Sequence, residues 1–255
     1  MANTNSLDLE LSSSQYASIA DVSQTGLDLV GDFTIECWVK FESLPSSGNM
    51  MGFVAKHYPN LASGYQLGLL NNGGTYQLQI NANQTANDTT RDVFRQTITP
   101  STGVWYHFAV SCDVSEASAT TFVFYLDGSS LGNGTAVVSG NISSINDNAQ
   151  PFVVGRLTDG SGNPIHYLDG LIDEVRVWND IRTAQEISDN YQTELVGDEA
   201  GLVAYYKFNN SALDETANNN DLTLSGSPVY STDVPFAGAV AGGAGGYKSL
   251  LGVGL

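Results

Sequence analysis

Cysteine and positive charge are both scarce in this chain of 255 residues, which holds 2 Cys and 9 Lys plus Arg against 27 Asp plus Glu. Two cysteines make no disulfide framework. Cys37 and Cys112 each lie in an apolar, strand-like segment and read as buried free thiols rather than a bridge. A formal net charge of -18 repels nucleic acid and anionic membranes, which argues against both as partners. No apolar run approaches the roughly 18 residues that span a bilayer. The start, Met1-Ala-Asn-Thr-Asn-Ser-Leu-Asp8, has neither the basic residues nor the apolar core of a signal peptide. The expectation is a chain that never carried one and reaches a virion surface or the extracellular space by another route, such as assembly into a virus particle. Histidine is scarce too. His57, His107 and His166 fall in separate segments without ligand spacing, and no nucleophile elbow, P-loop or dinucleotide fingerprint occurs.

What the sequence does have is hydrophobic residues, 42% of the chain, arranged in short runs with a two-residue period. Runs at 7–11, 16–19, 33–41, 51–56, 65–70, 75–81, 92–97, 105–112, 121–126, 129–131, 152–156, 201–208 and 222–224 read as strands separated by polar or Gly-containing turns. The strand at 169–178 is expected to alternate strictly, with Leu171, Asp173, Val175 and Val177 on one face and Ile172, Glu174, Arg176 and Trp178 on the other. Asp173, set among apolar residues, must then find a hydrogen-bond donor, a cation or a metal ion. Residues 132–148 read as a long polar loop or a sheet edge. Only 183–195 suggests a helix, with Thr183 and Glu186 resembling a capping box. No Pro/Ser linker divides the chain, so 1–234 reads as one all-β domain, a two-sheet antiparallel β-sandwich with one short helix. Residues 235–255 form a Gly/Ala-rich tail, expected to dock on other protein subunits.

Several segments taken in order resemble the laminin G-like jelly rolls of the concanavalin A-like lectin/glucanase superfamily, in particular the type 3 domains. They are 9–19, Phe33-Thr-Ile-Glu-Cys-Trp-Val-Lys40, Val104-Trp-Tyr-His-Phe-Ala-Val110, Phe124-Tyr-Leu-Asp-Gly128 and Gly170-Leu-Ile-Asp-Glu-Val-Arg-Val-Trp178, followed by Gly201-Leu-Val-Ala-Tyr-Tyr-Lys-Phe208 and 214–224. The resemblance covers 7–226. It implies two stacked antiparallel sheets, one structural calcium ion, and a loop rim or concave face that binds glycans or proteins. Carried over by position, the calcium ligands are Asp173, Asp214, Asn218 and Asn220, since calcium takes oxygens from carboxylates and amides. Ala217 and Asn219 stand where the family loop has glycines, and Asn tolerates the left-handed backbone better than most residues.

The glycosidases of the superfamily carry Glu-x-Asp-x-x-Glu on one strand, and retaining hydrolysis needs both glutamates. Here those positions are Leu171, Asp173 and Arg176, so the chemistry is rejected and no catalytic residue is assigned. A pentraxin-like disulfide is rejected as well, because Cys37 and Cys112 lie at other offsets from their aromatic neighbours. His57 with Tyr58 and His166 with Tyr167, beside loops, are the residues expected to stack on and hydrogen-bond a sugar. The function that follows is a non-enzymatic surface protein acting by binding and assembly, plausibly in a phage or virus. The alternative is a calcium-dependent carbohydrate-binding or adhesion module.

Overall fold

The computed structural model describes residues 3–58, 63–84, 90–114, 121–159 and 163–236. In chain order the strands are β1 (Ser6–Leu9), β2 (Tyr16–Ile19), β3 (Phe33–Phe41), β4 (Met50–Tyr58), β5 (Ser63–Asn72), β6 (Thr75–Asn83), β7 (Arg91–Thr97), β8 (Trp105–Asp113), β9 (Thr121–Leu126) and β10 (Ser129–Asn133). There follow β11 (Thr135–Ser139), β12 (Phe152–Val154), β13 (Leu157–Thr158), β14 (Pro164–Ile165), β15 (Gly170–Trp178), helix α1 (Ala184–Asn190), β16 (Leu202–Tyr206), β17 (Thr223–Ser225) and β18 (Val229–Ser231).

These strands make two antiparallel sheets. One runs β10-β9-β8-β3-β15-β1-β18, with β16 also on β15, and the other runs β11-β7-β6-β5-β4-β12-β2-β17. They are called sheet A and sheet B below. Their facing sides share one apolar core that includes Phe33, Val39 and Phe108 from sheet A and Phe53, Leu67, Ile80 and Phe152 from sheet B. Cys37 and Cys112 lie in this core as free thiols. Burial pushes both thiols well above their ordinary range, so neither acts as a nucleophile near neutral pH. Among the described residues no helix is long and apolar enough to cross a membrane.

Strict alternation fails at the centre of β15. Ile172, Val175 and Val177 all enter the core, and Glu174 takes a left-handed backbone with φ 50°. The register with β3 slips between Asp173, opposite Trp38, and Arg176, opposite Glu36. One residue is thus inserted as a bulge, which reverses the faces beyond it. The other edge of β15 changes partner at the same place, from β1 at Gly170–Ile172 to β16 at Val175–Trp178. The helix is also shorter than its pattern. The expected capping box forms between Thr183 and Glu186, but the carbonyls of Asn190, Tyr191 and Thr193 accept from Arg176, Trp38 and Arg176 respectively, which pins the chain beyond Asn190 to sheet A. Within 132–148, expected as a loop or an edge, β11 pairs with β7 and forms the edge of sheet B.

Candidate functional site

The outer side of sheet A is sealed. Glu36 and Arg176 project from β3 and β15 beneath residues 179–195, and His107 joins them from β8; all three are buried. Arg176 donates to Glu174 at 2.8 Å, Trp178 Nε1 donates to Glu36 at 2.7 Å, and the Tyr205 hydroxyl donates to Glu174 at 2.6 Å. Burial works against charge on Glu36, yet His107, Arg176 and Trp178 hold its carboxyl below the usual range. For Glu174, burial prevails over Arg176 and Tyr205 and raises it. Leu171 and Asp173 are equally enclosed, at 4% and 0% exposure. The positions of the glycosidase pattern therefore sit in a closed structural network.

The calcium set expected from the resemblance is not brought together. Asp214 is taken up by the chain itself: its carboxylate accepts from the backbone N–H groups of Tyr205, Thr216 and Asn220 and from the Thr216 hydroxyl. Asn218 Nδ2 donates to the Val203 carbonyl, and Asn220 bridges the N–H and carbonyl of Thr25. The 214–221 loop is thus a hydrogen-bonded plug along β16, with Asn219 in the left-handed region at φ 54°. Its oxygens do not fit a coordination sphere of six to eight. Asp173 lies elsewhere, accepting from Asn3 Nδ2 and the Glu174 N–H at 2.9 Å each. Burial and then the Glu174 charge push its carboxyl well up. Beside it, Asn3 Oδ1 and Glu174 Oε1 are buried without a hydrogen-bond partner.

The four sugar-contact candidates divide as well. His57 is buried at 6% exposure, with Nε2 2.7 Å from Asn83 Nδ2. Desolvation and then Arg91 push it down to about 4, so it is a neutral packed side chain and leaves the site. The Tyr58 side chain lies outside the described residues. His166 and Tyr167, in contrast, line a rim cleft of about 300 Å³ between the β3–β4 connection and the approach to β15. Leu44, Pro45 and Met50 give the cleft an apolar floor, and Ser43 and Asn49 give it polar edges. His166 is fixed by an unusual backbone, φ 54°, and its Nδ1 accepts from the Met50 N–H at 3.4 Å. Tyr167 packs on Tyr16 at 6.2 Å between centroids, and Arg156 lies 4.3 Å over the other ring. A rigid tyrosine beside short polar side chains suits a sugar ring, one face apolar and the edge hydroxylic.

Sequence reasoning missed the ground next to this cleft. On sheet B, cross-strand pairing sets Gln66 beside Asn81, Gly68 beside Gln79, and Gln79 beside Arg95. Their neighbours Leu67, Ile80 and Phe94 face the core, so these residues lie on the outer side of the sheet, where Gln66 and Gln79 are themselves buried and Asn81 and Arg95 are half-buried. Met50 joins cleft to face: it lines the cleft and its sulfur lies 3.6 Å from Gln79 Nε2. The signal was present in the sequence, because residues 43–87 contain no Asp or Glu in a chain otherwise rich in them. Among strands β4 to β7 the one acid is Asp92. It points inward, fully buried, and accepts from the N–H groups of Gly140, Asn141 and Ile142.

Two stacked antiparallel sheets with one face sealed and a cleft at the rim define a jelly roll of the concanavalin A-like kind. Residues 11–188 match the laminin G-like type 3 family model, described as concanavalin A-like lectin/glucanases superfamily, and the chain belongs to that family. No curated protein matches the sequence. Among solved structures, the fold is similar to that of a Bacteroides ovatus protein provisionally described as carbohydrate binding, with a TM-score of 0.62 and 21% identity over 92% of this chain and 61% of that one. It is also similar to a heptameric SAP-like pentraxin from Limulus polyphemus, with a TM-score of 0.57 and 12% identity over 89% and 94% of the two chains. A third likeness is to tailspike protein 2 of bacteriophage CBA120, with a TM-score of 0.51 and 12% identity over 82% of this chain and 32% of that one. The chain thus spans less than two thirds of the Bacteroides ovatus protein.

Proposed function

We propose that this chain is a non-catalytic carbohydrate-binding module, with its glycan site in the His166–Tyr167 cleft and on the adjoining face of sheet B. The observation that carries the reading is the continuity from an aromatic-walled cleft to an amide-lined, acid-free face. Side-chain amides donate and accept at once, as sugar hydroxyls do. The description of the Bacteroides ovatus protein agrees with it. A non-catalytic role agrees with Leu171 and Arg176 standing where hydrolysis needs glutamates, both of them enclosed. The test is a glycan array followed by calorimetry on Tyr167→Ala. Loss of stacking should weaken binding about 10-fold or more, with an unchanged melting curve. A blank array for the native protein would refute the proposal.

A structural cation, under this proposal, belongs at Asp173 with Asn3 and Glu174, whose unpartnered buried oxygens support it, and not at the 214–221 loop. Its chemistry would be to neutralise buried carboxylates and tie the N-terminal segment to β15. Assembly into a virion or other surface structure through residues 235–255 is a second reading. Nearly all of that tail lies outside the described residues. The reading gains support from Trp38, whose ring lies 6.0 Å from that of Phe236 on sheet A, so Phe236 itself lies on the side away from the proposed glycan face. Deleting 237–255 should abolish subunit association while glycan binding persists.

A further inference from the structure

Among the described residues, most cations are already engaged. Lys40 pairs with Asp233, Lys56 with Asp21 and Asp28, Arg176 with Glu174, Arg182 with Asp180 and Glu186, and Lys207 with Glu215. Arg156 is buried, donating to the Leu157 carbonyl at 3.1 Å. Arg95 differs. It is partly exposed on the outer face of sheet B, and its hydrogen bond runs from Nε to the uncharged Gln79 amide oxygen at 2.6 Å. That bond, with the second one from Gln79 Nε2 to Asn81 Oδ1 at 3.0 Å, fixes the guanidinium in orientation without neutralising it. In a protein of formal net charge -18, a charged acid would find most of the surface repellent. This face carries no carboxylate on the outward positions of β4 to β7, and it presents a planar fork suited to a carboxylate or sulfate.

We infer that the glycan this module takes is acidic, a uronate-, sialate- or sulfate-bearing chain whose anion pairs with Arg95 while its hydroxyls meet the half-buried Asn81 beside it. The inference rests on the glycan-binding proposal above and adds the charge of the ligand. The Met50 junction lets the same chain continue into the Tyr167 cleft.

The experiment is an array of neutral and acidic glycans in which each acidic chain is paired with its methyl-esterified or desulfated counterpart, followed by titration calorimetry at two salt concentrations. Native protein should prefer the acidic member about tenfold or more, and the preference should shrink as salt rises. Arg95→Gln should abolish the preference while keeping the residual affinity for the neutral member. Arg95→Lys should retain part of it, since the charge remains and the fork is lost. Tyr167→Ala should weaken both members of a pair alike. Equal binding of both members by native protein, or an unchanged preference in Arg95→Gln, overturns the inference and leaves glycan binding standing. Absence of binding to any glycan overturns both, and melting curves of the variants report whether each is folded.

Discussion

The two outer faces of the sandwich are built on opposite rules. On sheet A, Glu36, Glu174, Arg176 and His107 are enclosed beneath residues 179–195 and contact one another. On sheet B, amides and the partly exposed Arg91 and Arg95 face outward, with no acid on the outward positions of β4 to β7. The first face spends charge on holding a helix in place, and the second keeps the charge of Arg95 uncommitted. Binding capacity in this molecule therefore follows from where carboxylates are missing, and structure follows from where they are concentrated.

Swapping the same residue type on the two faces gives the sharpest contrast. Arg176→Met leaves Glu174 and Glu36 buried without their cation and should cost about 3–5 kcal/mol, read from urea unfolding. Gly68→Ala should come next. A Cβ there would stand 2.4 Å from the Met51 carbonyl oxygen, so the β4–β5 pair must shift, at about 1–3 kcal/mol in the same assay. Asp173→Asn tests the sealed side by pH. Burial and Glu174 raise the native carboxyl, so its contribution to stability is fully present below the ordinary Asp range and is lost as pH rises through the folded value. In chelator the variant should therefore equal or exceed native protein in melting temperature at pH 7, and the gap should close toward about pH 4. If calcium raises the melting temperature of native protein but not of the variant, the cation belongs at Asp173. Arg95→Met should change stability least, by about 1 kcal/mol, the loss of one donor to the buried Gln79 amide oxygen. A large loss there would erase the distinction between the faces.

Much of the fold could be read from the sequence because period-two runs and Gly turns report local geometry directly. Phe33–Phe41 and Trp105–Asp113 are strands as expected, and the two cysteines are free. The bulge at Glu174 was hidden, since no glycine marks its left-handed backbone and the slip arises from pairing with β3, β1 and β16 together. His57 and His166 look alike in sequence, each followed by a tyrosine. Cross-strand neighbours bury the first, and a strained turn delivers the second to the cleft. The 214–221 loop was located, and backbone N–H groups take the Asp214 oxygens that the resemblance assigns to metal. Arg95 was missed because its meaning lies in the β6–β7 register, which sets it beside Gln79 on the outer side of a sheet whose acid-free run, 43–87, was legible in the sequence.

The place of β1 between β15 and β18 bears on how the chain acquires its shape. Within this domain β1 is made long before either of its neighbours, β15 and β18. Until those are made its edges are open to other chains, so early hairpins such as β5–β6 must form without it. Pairing across such sequence distances belongs to the slow class of β-sandwich folding, about milliseconds to seconds, and closure of β1 is then the late step that commits the molecule.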